Sequence, residues 1–248
     1  MYSEAARRKW LYGNRNKILS LDELLEVSET YHGGRERLSL FGLTAEALFA
    51  KGFRIAGRTA IECSIDADAR GLAMEARAVR ERFFPHEAPI LIDLFCGSCN
   101  LLYHLSRELE AERAIGFEMD DLVHELTRNN LGKMDQFCDL YHGDYRELIK
   151  GIPLAGQNPI VFFIAPPWGR GFTYEGGLDL LATEPPVDEI IADLNRQFSH
   201  RRLFFLIQTF KRTSPSSIDA IVSGFAYHEH TFSRQTDKEN GILTCAQG

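Results

Sequence analysis

Four short stretches carry the side chains with which this chain could do chemistry. They are Asp93-Leu94-Phe95-Cys96-Gly97-Ser98-Cys99-Asn100, Glu118 with Met119 behind it, Gly143-Asp144-Tyr145, and Ala165-Pro166-Pro167-Trp168-Gly169. Each ends or follows a short apolar run. From Asp93 to Glu118, Asp144 and Pro166 the intervals are 25, 26 and 22 residues, about one strand–helix–strand step apiece. A carboxylate delivered to a glycine turn is a common way to hold a nucleoside. An acid at a strand end about 20 residues past such a turn can accept both ribose hydroxyls through charge-assisted hydrogen bonds. Asp144 would offer a carboxylate to an adenine amino group, with Tyr145 beside it. Pro166 and Pro167 lack N–H groups and have fixed φ, so their carbonyls stand in a rigid array, and Trp168 adds a flat apolar face.

Each stretch has a rival reading. Glu118 can be a helix N-cap, although Asp120 and Asp121 are better placed for that task. Gly143-Asp144 is also a plain turn dipeptide. Pro166-Pro167-Trp168 can end an edge strand, but the run 160–164 before it is apolar enough for a central one. Cys96-Gly97-Ser98-Cys99, at a strand-to-helix junction, resembles a thioredoxin-like redox pair, in which a helix N-terminus lowers the thiol pKa. A zinc half-site is the weaker reading, since no second close Cys/His pair completes four ligands with it. His228 and His230 alternate on one side of a strand and read as a solvated face, while His142 beside Asp144 is a candidate pocket residue.

The elements that must position these groups follow from hydrophobic periodicity. Apolar runs predict strands at 90–95, 113–118, 137–142, 159–164, 202–208, 225–232 and 241–246, with amphipathic helices at 100–110, 121–131 and 187–199. Such alternation implies an α/β fold, a parallel sheet wound on both faces, whose ligands sit beyond the carboxyl ends of the strands where strand order reverses. Residues 1–85 read as helical, with Leu21, Leu24 and Leu25 behind an Asp22/Glu23 start and a longer stripe from Ala69 to Phe83. They are expected to form a helical N-terminal extension, a substrate-side cap joined around Pro85–Pro89 to a main domain of residues 86–248.

Composition bounds the function. With 44% hydrophobic and 25% charged residues, neither disorder nor membrane residence is expected. No apolar run approaches the ~18 residues of a spanning helix, and no signal-peptide core follows Arg7, Arg8 and Lys9, so a cytoplasmic location is expected. The net charge of −7 is unevenly spread: residues 1–85 hold 14 basic against 12 acidic side chains, and residues 86–248 hold 14 against 23. An acidic catalytic region argues against a long nucleic-acid footprint. The cluster Arg7, Arg8, Lys9, Arg15 and Lys17 reads as a solvated face or a short nucleic-acid contact. Five scattered cysteines do not make a secreted disulfide framework.

Taken together, Asp93-x-Phe95-x-Gly97, Glu118, Asp144 and Pro166-Pro167-Trp168 resemble the class I methyltransferases that use S-adenosylmethionine. Within them the similarity is greatest to the amino-methylating branch, whose signature is Asp, Asn or Ser followed by Pro-Pro and an aromatic. The pairing of Asp93–Gly97 with Ala165–Gly169 is reminiscent of trimethylguanosine synthase-like RNA cap enzymes. The resemblance covers residues 88–248 and implies a Rossmann-like methyltransferase sheet of seven mostly parallel strands with helices on both faces. It also implies that the turn carrying Asp93, Phe95, Cys96, Gly97, Ser98 and Asn100 holds the methionine end of S-adenosyl-L-methionine. Glu118 and Met119 would then hold its ribose side, Asp144 and Tyr145 its adenine, and Ala165, Pro166, Pro167 and Trp168 would line the acceptor pocket. No metal is implied.

Two positions depart from that pattern. Cys99 stands where the family turn has a second glycine, and a side chain fits there only if φ > 0 is not required. Ala165 stands where the family has an acceptor for the substrate N–H; one such bond is worth about 1–3 kcal/mol, similar to stacking a base on an aromatic ring. The expectation is an enzyme that N-methylates a small-molecule or natural-product acceptor in preference to RNA. The alternatives are an RNA base methyltransferase and a non-catalytic binding module of the same fold.

Overall fold

The computed structural model describes residue 5 and residues 8–154, 156–173, 175–232 and 240–247. A seven-stranded sheet organises it, in the order β10-β11-β9-β6-β3-β4-β5. In chain order its strands are β3 (Ile90–Asp93), β4 (Arg113–Glu118), β5 (Asp139–His142), β6 (Ile160–Ile164), β9 (Leu203–Phe210), β10 (Tyr227–Phe232) and β11 (Asn240–Ala246). β1 (Ser39–Leu40) with β2 (Leu43–Thr44), and β7 (Phe172–Thr173) with β8 (Gly177–Leu178), form small separate hairpins. β11 alone runs antiparallel to its neighbours. All seven main strands coincide with predicted runs, and the N-terminal hairpin is the one strand pair in a region expected to be helical.

The apolar alternation that predicts the strands also fills both faces of the sheet. Ile90, Ile92, Phe162, Ile164, Phe205 and Ile207 enter one core layer, and Leu91, Val161, Phe163, Phe204 and Leu206 enter the other. The helices are α1 (Leu21–Tyr31), α2 (Ala45–Ala50), α3 (Gly57–Glu62), α4 (Asp66–Phe83), α5 (Asn100–Glu108), α6 (Asp121–Leu131), α7 (Tyr145–Leu148), α8 (Val187–Gln197) and α9 (Pro215–Val222). α8 buries Val187, Ile190, Ile191 and Leu194 on the first face; α4 lays Ala69, Leu72, Ala73, Ala76 and Val79 on the second, beside Leu102 and Leu105 of α5. Those spacings put the α4 residues on one stripe, which is why the helix forms and where it docks. The segment ahead of α4 has a core of its own, from Trp10 through Leu24, Leu48 and Phe53 to Ile65.

Local chemistry sets the helix starts. Ser20 and Glu23 close a capping box on α1 (3.3 and 3.0 Å), and Asp120 caps α6 by accepting from the Val123 amide at 3.0 Å. Of the expected basic cluster, Arg7 lies outside the described residues; Lys9 pairs with Glu26 and Lys17 with Glu23, each at 2.5 Å. No helix among the described residues is long and apolar enough to cross a membrane.

Candidate active site at the carboxyl edge of the sheet

Strand order reverses between β3 and β6: the chain runs outward from β3 to β4 and β5, then returns to place β6 on the other side of β3. A doubly wound sheet takes its ligand above such a point. The register makes the convergence explicit. Asp93 pairs with Gly116 and with Phe163, and Glu118 pairs with His142. Two residues further on, at the end of β4 and just past the ends of β3 and β6, lie Glu118, Phe95 and Ala165, so the predicted stretches meet on one edge.

The turn after β3 is tightly tied. Leu94 N–H donates to Phe163 O (3.2 Å), Cys96 N–H to Phe117 O (2.9 Å) and Cys99 N–H to Cys96 O (2.7 Å). Asp93 is 2% exposed, and its Oδ1 accepts the Phe95 amide at 3.0 Å. Burial pushes its carboxyl up to about 7; the Phe95 N–H opposes the rise and the Glu118 charge adds to it. Gly97 has φ +51°, and a Cβ there would meet nothing within 4 Å, so the backbone faces open space. Glu118 closes the turn from the neighbouring strand: Oε2 accepts the Gly97 amide at 3.1 Å and Oε1 the Asp120 amide at 2.7 Å. Burial raises the Glu118 pKa. Thr127 Oγ1 donates to Gly97 O at 2.8 Å and fixes the glycine from α6.

Cys99 corrects an expectation. It takes φ +61°, the left-handed conformation, with its side chain fully buried, so the missing glycine has not relaxed the turn. Its sulfur lies against Cys96 and Cys138. All five cysteines are free, and burial raises the Cys96 thiol to about 11, the opposite of what a redox pair requires. Among the described residues no group of three His, Cys, Asp or Glu could hold a metal ion.

At the far end, Asp144 caps α7 and is gripped by Arg146, whose backbone N–H (2.9 Å) and guanidinium (2.5–3.0 Å) both reach it; that ion pair holds its carboxyl below the usual range. The Tyr145 ring is buried against Phe95, at 5.4 Å between centroids. Met119 is 69% exposed. His142 is exposed, stacks on His124 at 4.3 Å and reaches Asp121 Oδ1 at 3.0 Å. His228 is exposed as expected, but His230 is half-buried, its Nε2 reaching across β11 to within 2.9 Å of Thr209 Oγ1 on β9.

β6 is the middle strand of the sheet, as its apolar run predicts. Beyond it Pro166 is buried, Pro167 exposed, and Ala165 and Trp168 half-buried. Pro167 O accepts the Glu184 amide (3.4 Å) and Trp168 O the Gly171 amide (2.7 Å). The Trp168 ring is braced by Phe172 and Phe210 at 5.2 and 6.0 Å.

Two residues that the sequence reading passes over, Gln208 and Arg58, belong to this region, and Asn100, expected in the cofactor turn, also has a structural task. Gln208 ends the apolar run of β9 and, one step past the Ile164–Ile207 pair, stands beside Ala165 on the same sheet face. A polar residue closing a buried strand is a signal the sequence did contain. Asn100 ties the N-terminal segment to the turn, its Oδ1 accepting the Phe41 amide (2.6 Å) and its Nδ2 donating to Ser64 O (2.7 Å). Arg58 of α3 reaches Asp120 Oδ2 at 2.5 Å; only tertiary packing brings those two together.

No protein-family model matches the chain, and no curated protein matches it in sequence. Solved structures do. A putative O-methyltransferase from Klebsiella pneumoniae aligns over 92% of this chain and 90% of its own, with 12% identity and a TM-score of 0.51. The N-terminal domain of human METTL16, solved with S-adenosylhomocysteine, aligns over 71% and 66%, with 15% identity and a TM-score of 0.48. TrmK of M. capricolum, also solved with S-adenosylhomocysteine, aligns over 71% and 69%, with 9% identity and a TM-score of 0.44. The first of these alignments, with the strand order, shows a Rossmann-like sheet. At these identities the likeness defines the fold alone.

Proposed function

We propose that the chain is an S-adenosylmethionine-dependent methyltransferase that methylates a nitrogen of a small, planar acceptor. The observation that carries this reading is the junction of Glu118 with the Gly97 amide at the strand-order reversal, with the Pro166-Pro167-Trp168 wall on the adjoining strand. The residues fit the cofactor at two of its three parts. Open space above Gly97 suits the methionine end, and Glu118, whose oxygens each accept only one backbone N–H, can also accept ribose hydroxyls. At the third, Asp144 would have to share its carboxylate between Arg146 and the adenine amine.

When bound, S-adenosylmethionine supplies a methyl group on a sulfonium. The chain's own part is orientation, since in-line transfer needs an unprotonated nitrogen held about 3 Å from that methyl. Trp168 would stack on the acceptor, and the Pro166 carbonyl would accept its N–H. Gln208, beside Ala165, would provide the polar contact that Ala165 cannot. The proton released from nitrogen would pass to solvent. Residues 8–65, which share a core, would form the substrate-side cap.

A small acceptor is preferred over RNA because the catalytic part is acidic and because Lys9 and Lys17 are already paired with Glu26 and Glu23. Titration calorimetry with S-adenosylhomocysteine tests the first step, and a folded protein that gives no heat would sink the enzyme. Tritium transfer from labelled S-adenosylmethionine to small aromatic amines, unaffected by salt, is the expected second result. Transfer only to RNA, falling steeply with salt, would replace the substrate class. Ala165, which offers no acceptor to a substrate N–H, favours a second reading, a binding module without transfer, which predicts heat of binding and no turnover.

A further inference from the structure

Glu118 sits among acids. Asp120 is two residues away with its amide on Glu118 Oε1, and Asp93 lies one strand over, close enough that the Glu118 charge contributes to its raised pKa. The Cys96 thiol feels both carboxylates. Burial is the largest influence raising Glu118 and Asp120 adds to it; the Asp120 and Gly97 amides oppose them, and so does one cation, Arg58.

Arg58 belongs to the N-terminal segment, and its position is fixed by backbone. Gly57 N–H donates to Lys17 O (2.9 Å) and Arg58 N–H to Arg15 O (3.0 Å). A Cβ at Gly57 would lie 2.4 Å from Asn14 O, so only glycine lets α3 start this close to the preceding loop. From that start the guanidinium reaches Asp120 Oδ2 at 2.5 Å and Glu62 Oε2 at 3.3 Å, and the side chain is only 16% exposed. Near-burial keeps the cation's field from being screened away.

We infer that Arg58 is a positioning residue of the proposed cofactor site: carried in by the N-terminal segment and paired with Asp120, it pins the turn whose Asp120 amide holds Glu118 Oε1 and brings a cation to the side of the site that is to take the ribose hydroxyls. The inference rests on the reading of Glu118 given above. It gives the N-terminal segment a part in cofactor binding as well as in covering the acceptor.

The test is calorimetric titration of S-adenosylhomocysteine between pH 5.5 and 8.5 with wild type, Arg58→Met, Arg58→Lys, Asp120→Asn and Glu118→Ala. A carboxylate accepts hydroxyl bonds best when ionised, so losing the cation moves the onset of binding to higher pH. Displacing a pKa by one unit corresponds to about tenfold in affinity below it. Arg58→Met is therefore expected to bind more weakly than wild type at the acid end of the range, by about tenfold for each unit of displacement, with the gap closing towards the alkaline end. Arg58→Lys keeps the charge and should restore most of the wild-type profile. Asp120→Asn keeps the α6 cap but loses the ion pair that anchors Arg58, so it should weaken binding as well, and the double variant should be no weaker than the worse of the two single ones.

An Arg58→Met protein equally weak at every pH would show a merely structural role and overturn the inference, as would one unchanged throughout. If Arg58→Met does not fold, an Asp120→Asn protein that binds as tightly as wild type overturns it instead. Wild type that binds while Glu118→Ala does not separates this failure from that of the proposed function. Absence of wild-type binding defeats both.

Discussion

The turn after β3 and the wall after β6 lie on neighbouring strands and are built on opposite principles. The turn relies on buried charge: Asp93 and Glu118 each face backbone amides with little water around them. The wall relies on shape: two prolines, an alanine and a tryptophan braced by Phe172 and Phe210. Hydrogen bonds to buried carboxylates are strong and respond to pH, whereas a stacked ring is indifferent to pH and tolerant of what it stacks on. A protein made this way would choose its cofactor strictly and its acceptor by outline.

The largest expected effect lies in the turn. Asp93 would titrate near 3.9 in the unfolded chain and titrates at about 7 in the native one. Between those values the unfolded state has released its proton and native Asp93 has not, so this group's contribution to stability falls as pH rises from about 4 to 7 and then levels off. Asp93→Asn still offers an oxygen to the Phe95 amide and removes the titration. Urea unfolding across that range should show wild type losing up to about 4 kcal/mol relative to the variant. Parallel curves would mean that the turn is not under electrostatic load.

Next is Glu118→Ala, which would remove the two charge-assisted bonds to ribose that the proposed function gives this residue, of about 1.5–3 kcal/mol each. S-adenosylhomocysteine affinity should fall at least about a hundredfold. Trp168→Ala should leave that affinity within about twofold while slowing transfer to a planar acceptor by about ten- to a hundredfold, the worth of one stacked ring. Should Trp168→Ala weaken cofactor binding as much as Glu118→Ala does, the division between the two halves would collapse.

The sequence foretold the two halves unequally. Every main strand follows from apolar alternation, and 113–118 is matched to the residue because Glu118 ends both the run and the strand. The predicted 90–95 stops at Asp93, since that side chain accepts the Phe95 amide and bends the chain out of the sheet. The hairpin at 39–44 left no trace because two-residue strands carry no period. Acids spaced one βαβ step apart made the site's outline legible. Arg58 was not, nor was the tie of Asn100 to the N-terminal segment, because both depend on α3 and the hairpin docking on α6 and α5 from far away in sequence.

The smallest effect is expected at Cys99, where the comparison is sharpest because a departure from the family turn leaves the backbone path intact. At φ +61° an L-residue carries strain of about 1–2 kcal/mol, which glycine would relieve. Against this, Cys99→Gly loses the buried sulfur's packing on Cys96 and Cys138 and adds about 0.5–1 kcal/mol of unfolded-state entropy. The terms oppose one another, so thermal unfolding should move by less than the equivalent of about 1 kcal/mol, and S-adenosylhomocysteine affinity should not change. A β-branched Cys99→Val would add strain without relief and should destabilise the fold clearly. If Cys99→Gly instead raised affinity tenfold or more, the cysteine would be restraining the cofactor turn, and the charged half of the site would be less finished than its hydrogen bonds suggest.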